Sequence, residues 1–514
     1  MWLSAVIAAF IVFGMRFALY LVPWDAESGY LVFGYRALRG EIRLFQDEIV
    51  GQRLPLPFYI IGLTQIIVGP SLLAGRLLSV GLGTVASLLT FRLGWLIGGR
   101  PVAFIGLLLL VTHGIVVGYY AAASHFALTA LLIIAGVWAV AEFPGVRGHL
   151  VCMACFSTLA LSRPNLVPLV PAVAVYLLVL ARGMLERVVI ISIAVGPLAA
   201  FLLTDVEHLK ILSYVPGVAA IVEPLGYRSL FDLGAQAMIP ADAWPVGLAW
   251  FLRRHMFWIA TTALATVSVA WAVRHRRTMT VMPPLALFCA GLALYGLAAQ
   301  AVVYRMYPKS ISAYVVALAP LWAITLACGL SLLLCDNTAA RRIRMVTCVI
   351  FAAILLLSPT FSRHSAMPRP LPTATTIELL ARTAVRISSV VPRGARVFLV
   401  GASVVPYLAG VEPYPQQVMH EWTLVPSADA YAISRSGLWG TKEIDAWLGH
   451  DAPFALIDHE LFDQLRDIPD YRPLVSHMDR LLQRHFALVT VVSDFPWKPR
   501  LYVYRRISSE TTPR

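Results

Sequence analysis

Charge is what this chain has least of. Only 13% of its 514 residues are Asp, Glu, Lys or Arg, and the acids (28) are scarcer than the bases (41). A soluble domain carries about 25% charged residues, so a soluble globular chain is excluded. The 59% hydrophobic content and mean hydropathy of +0.74 point instead to a polytopic membrane protein. Cysteine is also sparse: the six residues lie in or beside apolar segments and none follows Cys348, so an extracytoplasmic tail would carry no disulfide. Cys152 and Cys155 have the spacing of half a zinc site, but no second pair accompanies them, and they read as small packing residues. Internal repeats and low-complexity tracts are lacking. No small-residue cleavage site precedes Trp24, so the first apolar run, residues 2–22, is expected to span the membrane rather than to be cleaved.

What is present sorts by hydropathy and by the position of Lys and Arg. Spans need roughly 20 apolar residues. Segments are expected at 2–22, 72–97, 102–120, 124–141, 149–162, 165–181, 188–204, 255–273, 281–303, 312–334 and 345–361, about eleven crossings. The apolar stretch 56–69 is short for a span and reads as a juxtamembrane helix. With this assignment most basic clusters fall on the cytoplasmic side, which explains the net charge of +13 without invoking nucleic acid. Arg53, Arg163, Lys210, Arg305 and Lys309 are among the cations left outside, where something should use them. The fold class expected is therefore an α-helical polytopic membrane protein. Its transmembrane domain covers 1–362, with a first outer loop at 23–71 and a long second one at 205–254.

Beyond Ser362 the composition changes. Pro368, Pro370 and Pro372 make a stiff linker, and residues 363–514 read as a small extracytoplasmic α/β domain. Residues 374–389 are expected to be helical, with strands at Arg396–Val400, Phe454–Asp458, Phe486–Val492 and Leu501–Tyr504. Gly401-Ala402-Ser403 after the first strand reads as a turn, not a nucleotide fingerprint.

The stretch that organises the chain is LVPWDAESGYLVFGYRALRGEIRLFQDEIVGQRLPLPFY, residues 21–59. Asp25 and Glu27 stand where the first span leaves the bilayer, and a carboxylate there is costly unless water, a partner or a substrate uses it. Asp25 as a simple helix cap is the competing reading. Residues 26–40 mix Tyr30, Leu31, Phe33 and Tyr35 with Arg36 and Arg39, the pattern of a helix lying on the membrane surface. Arg53 then precedes Pro55 and Pro57, and GPSLLAGRLLSVGLG follows.

Together these features resemble the C-fold (GT-C) glycosyltransferases, in the branch of protein O-mannosyltransferases and bacterial aminoarabinose transferases. The resemblance covers the first hundred or so residues and, beyond them, the layout. Two departures stand out: the family's adjacent Asp-Glu is here Asp25-Ala26-Glu27, which leaves open which acid is catalytic, and its Pro-Pro is split by Leu56. The resemblance implies sugar transfer from a polyprenyl-phosphate donor on the outer face of the cytoplasmic (inner) membrane, the acceptor being a lipid, glycan or protein hydroxyl. Such a reaction needs a base for the acceptor hydroxyl and cations for the departing phosphate. Asp25 is the candidate base, with Glu27 as its alternative or orienting partner. Arg53 stands in the place of the family's basic residue and is the candidate phosphate ligand. Arg305 and Lys309, with Tyr304 beside them, form a second donor-binding candidate, although ordinary interfacial anchors share that pattern. His125, Tyr30 and Asp47 are candidates for the acceptor groove, against the plainer reading of each as structural or solvated. Asp25-x-Glu27 also has the chemistry to bind a divalent ion, but two carboxylates without further ligands are weak evidence for one; the branch it resembles generally works without metal, and no cofactor is expected.

Two other classes compete. A flippase or transporter of lipid-linked sugars would place charges at mid-span and show inverted repeats, and neither is visible. A scaffold whose outer domain binds partners would leave the first-loop carboxylates without a cavity.

Overall fold

The computed structural model of the chain describes residues 2–23, 25–45, 54–214, 219–227, 266, 283–303, 315–335, 374–418, 423–426, 429–492 and 500–507. It divides into two compact units. One comprises Met1–Ala18, Arg76–Phe201 and Ala241–Arg369; the other comprises Leu19–Gly75, Leu202–Pro240 and Pro370–Arg514.

The first unit is helical. Helix α1 (Trp2–Tyr20) packs against α4 (Leu72–Val111) because glycines let the backbones approach: a Cβ on Gly14 would stand 3.1 Å from Val80 Cγ1, and one on Gly83 would stand 3.0 Å from Phe10. Small residues serve this purpose in lipid, where apolar surface alone gives helices no reason to associate. Helix α4 holds two of the expected segments, broken at Gly98 and Gly99, where the backbone leaves the helical region ahead of Pro101. Then come α5 (Gly114–Ala121), α6 (Phe126–Glu142), α7 (Val146–Ala160), α8 (Leu169–Leu180) and α9 (Met184–Thr204), and further helices at Pro283–Val303 and Ala319–Cys335.

The expected eleven crossings are not reached among the described residues. Three helices there, α1, α4 and α9, are long and apolar enough to cross a membrane. A fourth crossing results if α5 and α6, bent by 109° at their junction, count as one. The expected segments 149–162 and 165–181 become shorter helices because the chain turns between them through a 3-10 turn at Pro164–Leu166, flanked by buried Arg163. Segments 255–273 and 345–361 lie outside the described residues, apart from Thr266.

The second unit begins with α2 (Asp25–Leu38) and α3 (Pro55–Val68). Pro55 pre-sets the first turn of α3, and Gly69 ends it at φ 89°. The surface-lying helix expected over 26–40 is corrected here. Residues 27–34 of α2 are buried in protein, and only its last turn emerges. The reason is the crossing with α3: a Cβ on Gly34 would sit 2.1 Å from the Phe58 carbonyl oxygen, and one on Gly62 2.3 Å from the Gly34 carbonyl carbon. Backbone meets backbone there, and no other residue fits.

The same unit contains a five-stranded sheet in the order β2-β1-β3-β5-β4, formed by β1 (Arg396–Val400), β2 (Glu412–Pro413), β3 (Phe454–Asp458), β4 (Phe486–Val492) and β5 (Leu501–Arg506). The first three are parallel; β5 runs antiparallel to β3 and β4 antiparallel to β5, with a register shift between Leu488 and Thr490. The two-residue β2 was not expected, being too short to show a period. The expected helix appears as Thr376–Ser388, opened by a capping box in which Thr375 accepts from the Glu378 amide and Glu378 from the Thr375 amide. Thr376 Oγ1 donates to the Tyr20 carbonyl at the end of α1, 2.8 Å away. The core gathers Phe398, Trp439, Leu448, Ile457, Phe462 and Met478. At its edge Arg506 donates to the carbonyls of Trp447, Leu448, Gly449 and Ala452, satisfying the end of the π-helical segment Asp445–Asp451.

Replacing Gly34 by Ala should cost about 3 kcal/mol or more, since the added methyl meets backbone that cannot yield. Gly81→Ala, where a Cβ meets open space inside a helix, should be neutral or stabilising by up to about 1 kcal/mol. Thermal unfolding of the full-length chain in detergent compares the two.

Candidate active site in the first loop

The chain enters the first loop through α2, and Asp25 is that helix's first residue. A helix N-terminus presents unpaired N–H groups and the positive end of the helix dipole, so it suits negative charge. Glu27, two residues on, is fully buried, as are Ser28 and Tyr30. A carboxylate taken out of water must be paired, and Glu27 does have interaction partners. The Tyr30 ring lies 4.7 Å from that of Phe58, and Phe33 reaches the same ring at 6.2 Å.

At the far end of α3, Gln65 fixes the turn into α4. Its amide donates to the Ser71 carbonyl at 3.1 Å, and its carbonyl accepts from the Ser71 amide at 2.7 Å. Tyr407, from the short helix Val404–Ala409, donates to the same Gln65 oxygen at 3.4 Å and sets its ring edge-on to Tyr35 at 6.0 Å. Burial pushes the Tyr407 phenol well above its ordinary value, so it remains a donor. The first loop thus rests on the C-terminal sheet domain through α2 and α3.

Further along, Phe45 is buried at φ 76° with its ring edge-on to His208 at 5.3 Å. A bulky residue in the left-handed region is strained, and such strain gathers at functional sites.

The candidate residues fall in several places. Glu27 and Tyr30 stand one turn apart on α2, both buried. His125 belongs to the helical unit, ahead of α6; it is buried, its Nδ1 is 3.1 Å from Ser124 Oγ, and its ring lies 4.1 Å from that of Phe126. Asp47, Arg53, Tyr304, Arg305 and Lys309 lie outside the described residues. The residues that sequence reasoning passed over are Glu207, Tyr227 and Arg435, which converge with Lys210. Lys210 reads in the sequence only as a cation left outside; Glu207, which it pairs with, is bound by Arg435 from 228 positions away, and no local pattern links Glu207 to Arg435.

With this architecture in view, comparison with known proteins is informative at the level of fold. No family model matches the chain, and no curated protein matches it by sequence. Solved structures do. ArnT, the aminoarabinose transferase from Cupriavidus metallidurans, bound to undecaprenyl phosphate, is similar at a TM-score of 0.56 and 12% identity, with 100% of this chain and 99% of that one covered. Its apo state gives a TM-score of 0.55 at 11% identity over the same shares. The Archaeoglobus fulgidus oligosaccharyltransferase tethered with an acceptor peptide is similar at 0.51 and 10% identity, covering 99% of this chain and 74% of that one. The chain therefore has the GT-C fold, that of membrane glycosyltransferases, with a small C-terminal sheet domain.

Gln65→Leu should leave the Ser71 amide and carbonyl unsatisfied, at about 1–3 kcal/mol. Hydrogen exchange at the Ser71 amide of the full-length chain should accelerate at least tenfold, and unchanged protection would show that the turn does not depend on Gln65.

Proposed function

We propose that this protein is an integral membrane glycosyltransferase that moves a sugar from a polyprenyl-phosphate-linked donor to a hydroxyl of a lipid, glycan or protein acceptor. The observation that carries this reading is the fold, shared end to end with a transferase whose structure holds undecaprenyl phosphate. The position of Asp25, opening a helix directly after the first apolar span, supports it further. In this reading residues 1–362 carry the transmembrane catalytic part, residues 363–514 form the extracytoplasmic domain, and the enzyme sits in the inner membrane with its site on the outer side.

The chemistry is a single inverting displacement. Asp25 takes the proton of the acceptor hydroxyl as its oxygen attacks the anomeric carbon. The bond from that carbon to the phosphate oxygen breaks, and its electron pair leaves with the polyprenyl phosphate. Arg53, and Arg305 or Lys309 with Tyr304, stabilise the charge gathering there. Phosphate is already an acidic leaving group, so the reaction needs no second carboxylic acid, unlike glycoside hydrolysis. Glu27, buried on the same helix, orients the N-terminal turn of α2, and acceptor binding is assigned in this reading to Tyr30, Asp47 and His125.

The test is a transfer assay on the full-length protein in micelles with a polyprenyl-phosphate sugar. Asp25→Asn should lower turnover at least 100-fold with the fold intact, and full turnover would remove Asp25 from its role. Arg53→Glu should weaken donor binding at least tenfold while leaving acceptor binding unchanged; an unaltered donor affinity would count against Arg53.

A further inference from the structure

A second group of charged side chains is left unused by that chemistry. The 3-10 segment Val206–Tyr214 and the helix Ala430–Ser436 meet through Glu207. Arg435 Nη1 lies 2.6 Å from Glu207 Oε1, and Lys210 Nζ lies 3.3 Å from Glu207 Oε2. Arg435 Nη2 donates to the Tyr227 hydroxyl at 2.9 Å, and the guanidinium covers the Tyr227 ring at 4.8 Å. Glu207, Lys210 and Arg435, with Tyr431, Ser434 and Gly437, line a cleft of about 440 Å³.

The balance of donors and acceptors decides what such a cleft can take. Lys210 is only 5% exposed, yet its side chain forms part of the wall. An ammonium has three N–H groups, and among the described residues its ion-pair partner is Glu207 alone. Both oxygens of Glu207 are already engaged, one by each cation. The neighbouring Asp205 turns one oxygen to the Glu207 amide at 2.9 Å and is not part of the wall. Burial holds the phenol of Tyr227 up, at about 12, so it keeps its proton and adds no charge. The cleft therefore offers an incoming molecule N–H and O–H donors: the remaining hydrogens of Lys210 and Arg435, and the exposed hydroxyl of Ser434. The wall residues Lys210, Arg435 and Glu207 together carry a charge of +1, and the carboxylate of Asp205, outside the wall, also acts on Lys210. A largely desolvated ammonium also interacts more strongly with an anion than an exposed one does.

We propose that this cleft is an oxyanion site, binding a phosphate or carboxylate group through Lys210, Arg435 and Ser434, with Glu207 holding the two cations together while it is empty. Two sources share that chemistry, a lipid phosphate headgroup and a soluble anion. The proposal does not rest on the glycosyl-transfer reading.

The experiment titrates inorganic phosphate into the full-length protein in neutral detergent and follows binding by calorimetry. Wild type should bind saturably. Lys210→Gln should weaken binding at least tenfold, whereas Glu207→Gln, which frees both cations, should tighten it several-fold. Because both variants alter a buried pair, Ser434→Asp provides the control: the exposed position keeps the fold, and the new carboxylate should abolish binding. If the cluster were only a clasp between the two segments, wild type would show no saturable phosphate binding, or Glu207→Gln would weaken it as Lys210→Gln does; either result overturns the proposal. Vesicles of phosphatidylglycerol, set against phosphatidylcholine, then identify the source. Displacement of phosphate by the anionic vesicles assigns the site to a headgroup, and retention assigns it to a soluble anion.

Discussion

The contact between Gly34 and Gly62 is the constraint from which the first loop takes its shape. Two helices whose backbones touch have no freedom to slide or roll, because either motion drives a carbonyl into the neighbouring chain. That contact aims α2 into protein rather than along a membrane surface and stacks Tyr30 on Phe58. It also fixes where the N-terminal turn of α2, with Asp25, must lie. Gln65, one helical turn past Gly62, hands the same rigidity on to the turn at Ser71 and to Tyr407 of the C-terminal domain. Helices α2 and α3 are thereby held against each other as firmly as elements of a core.

The helical unit solves a different problem. Its outer surface is apolar: Ile11, Val12, Leu88, Val179, Leu185 and Val195 are all exposed, as lipid contact would demand. Apolar surface cannot then hold the helices together, and close packing at Gly14, Gly83 and Gly118 does so instead. Polar pairs inside it include His149 Nδ1 with Glu186 Oε1 at 2.5 Å and Tyr120 donating to the Val316 carbonyl at 2.9 Å. Each unit thus uses glycine for close approach, one to build a bundle and the other to lock a loop.

Much of this could be read from residue order, for identifiable reasons. Apolar length places α1, α4 and α9; Gly98-Gly99 ahead of Pro101 marks the break in α4; alternation and turn residues reveal four of the five strands. Composition misleads where a residue's neighbours are remote. Tyr30, Phe33 and Arg36 spell an interfacial helix when taken alone, and only the partner glycine on α3 turns the helix inward. Glu207 and Arg435 stand 228 positions apart, and their pairing exists only because the sheet domain brings the helix Ala430–Ser436 to the second loop. The register that lets β2 pair with β1 at Arg396 and Glu412 is equally invisible in a two-residue strand.

The two first-loop acids illustrate how burial can separate roles that spacing leaves equal. Sequence offers Asp25 as the candidate base and Glu27 as its alternative or its orienting partner. Glu27, however, has no exposed surface, and a base must come within hydrogen-bond reach of the hydroxyl it deprotonates. Opening a path to it would mean parting α2 from its surroundings, which the glycine crossing resists. Asp25 opens α2, and a helix N-terminus favours negative charge. Burial of the one acid and the helix-end position of the other are thus a difference that their spacing in the sequence does not reveal.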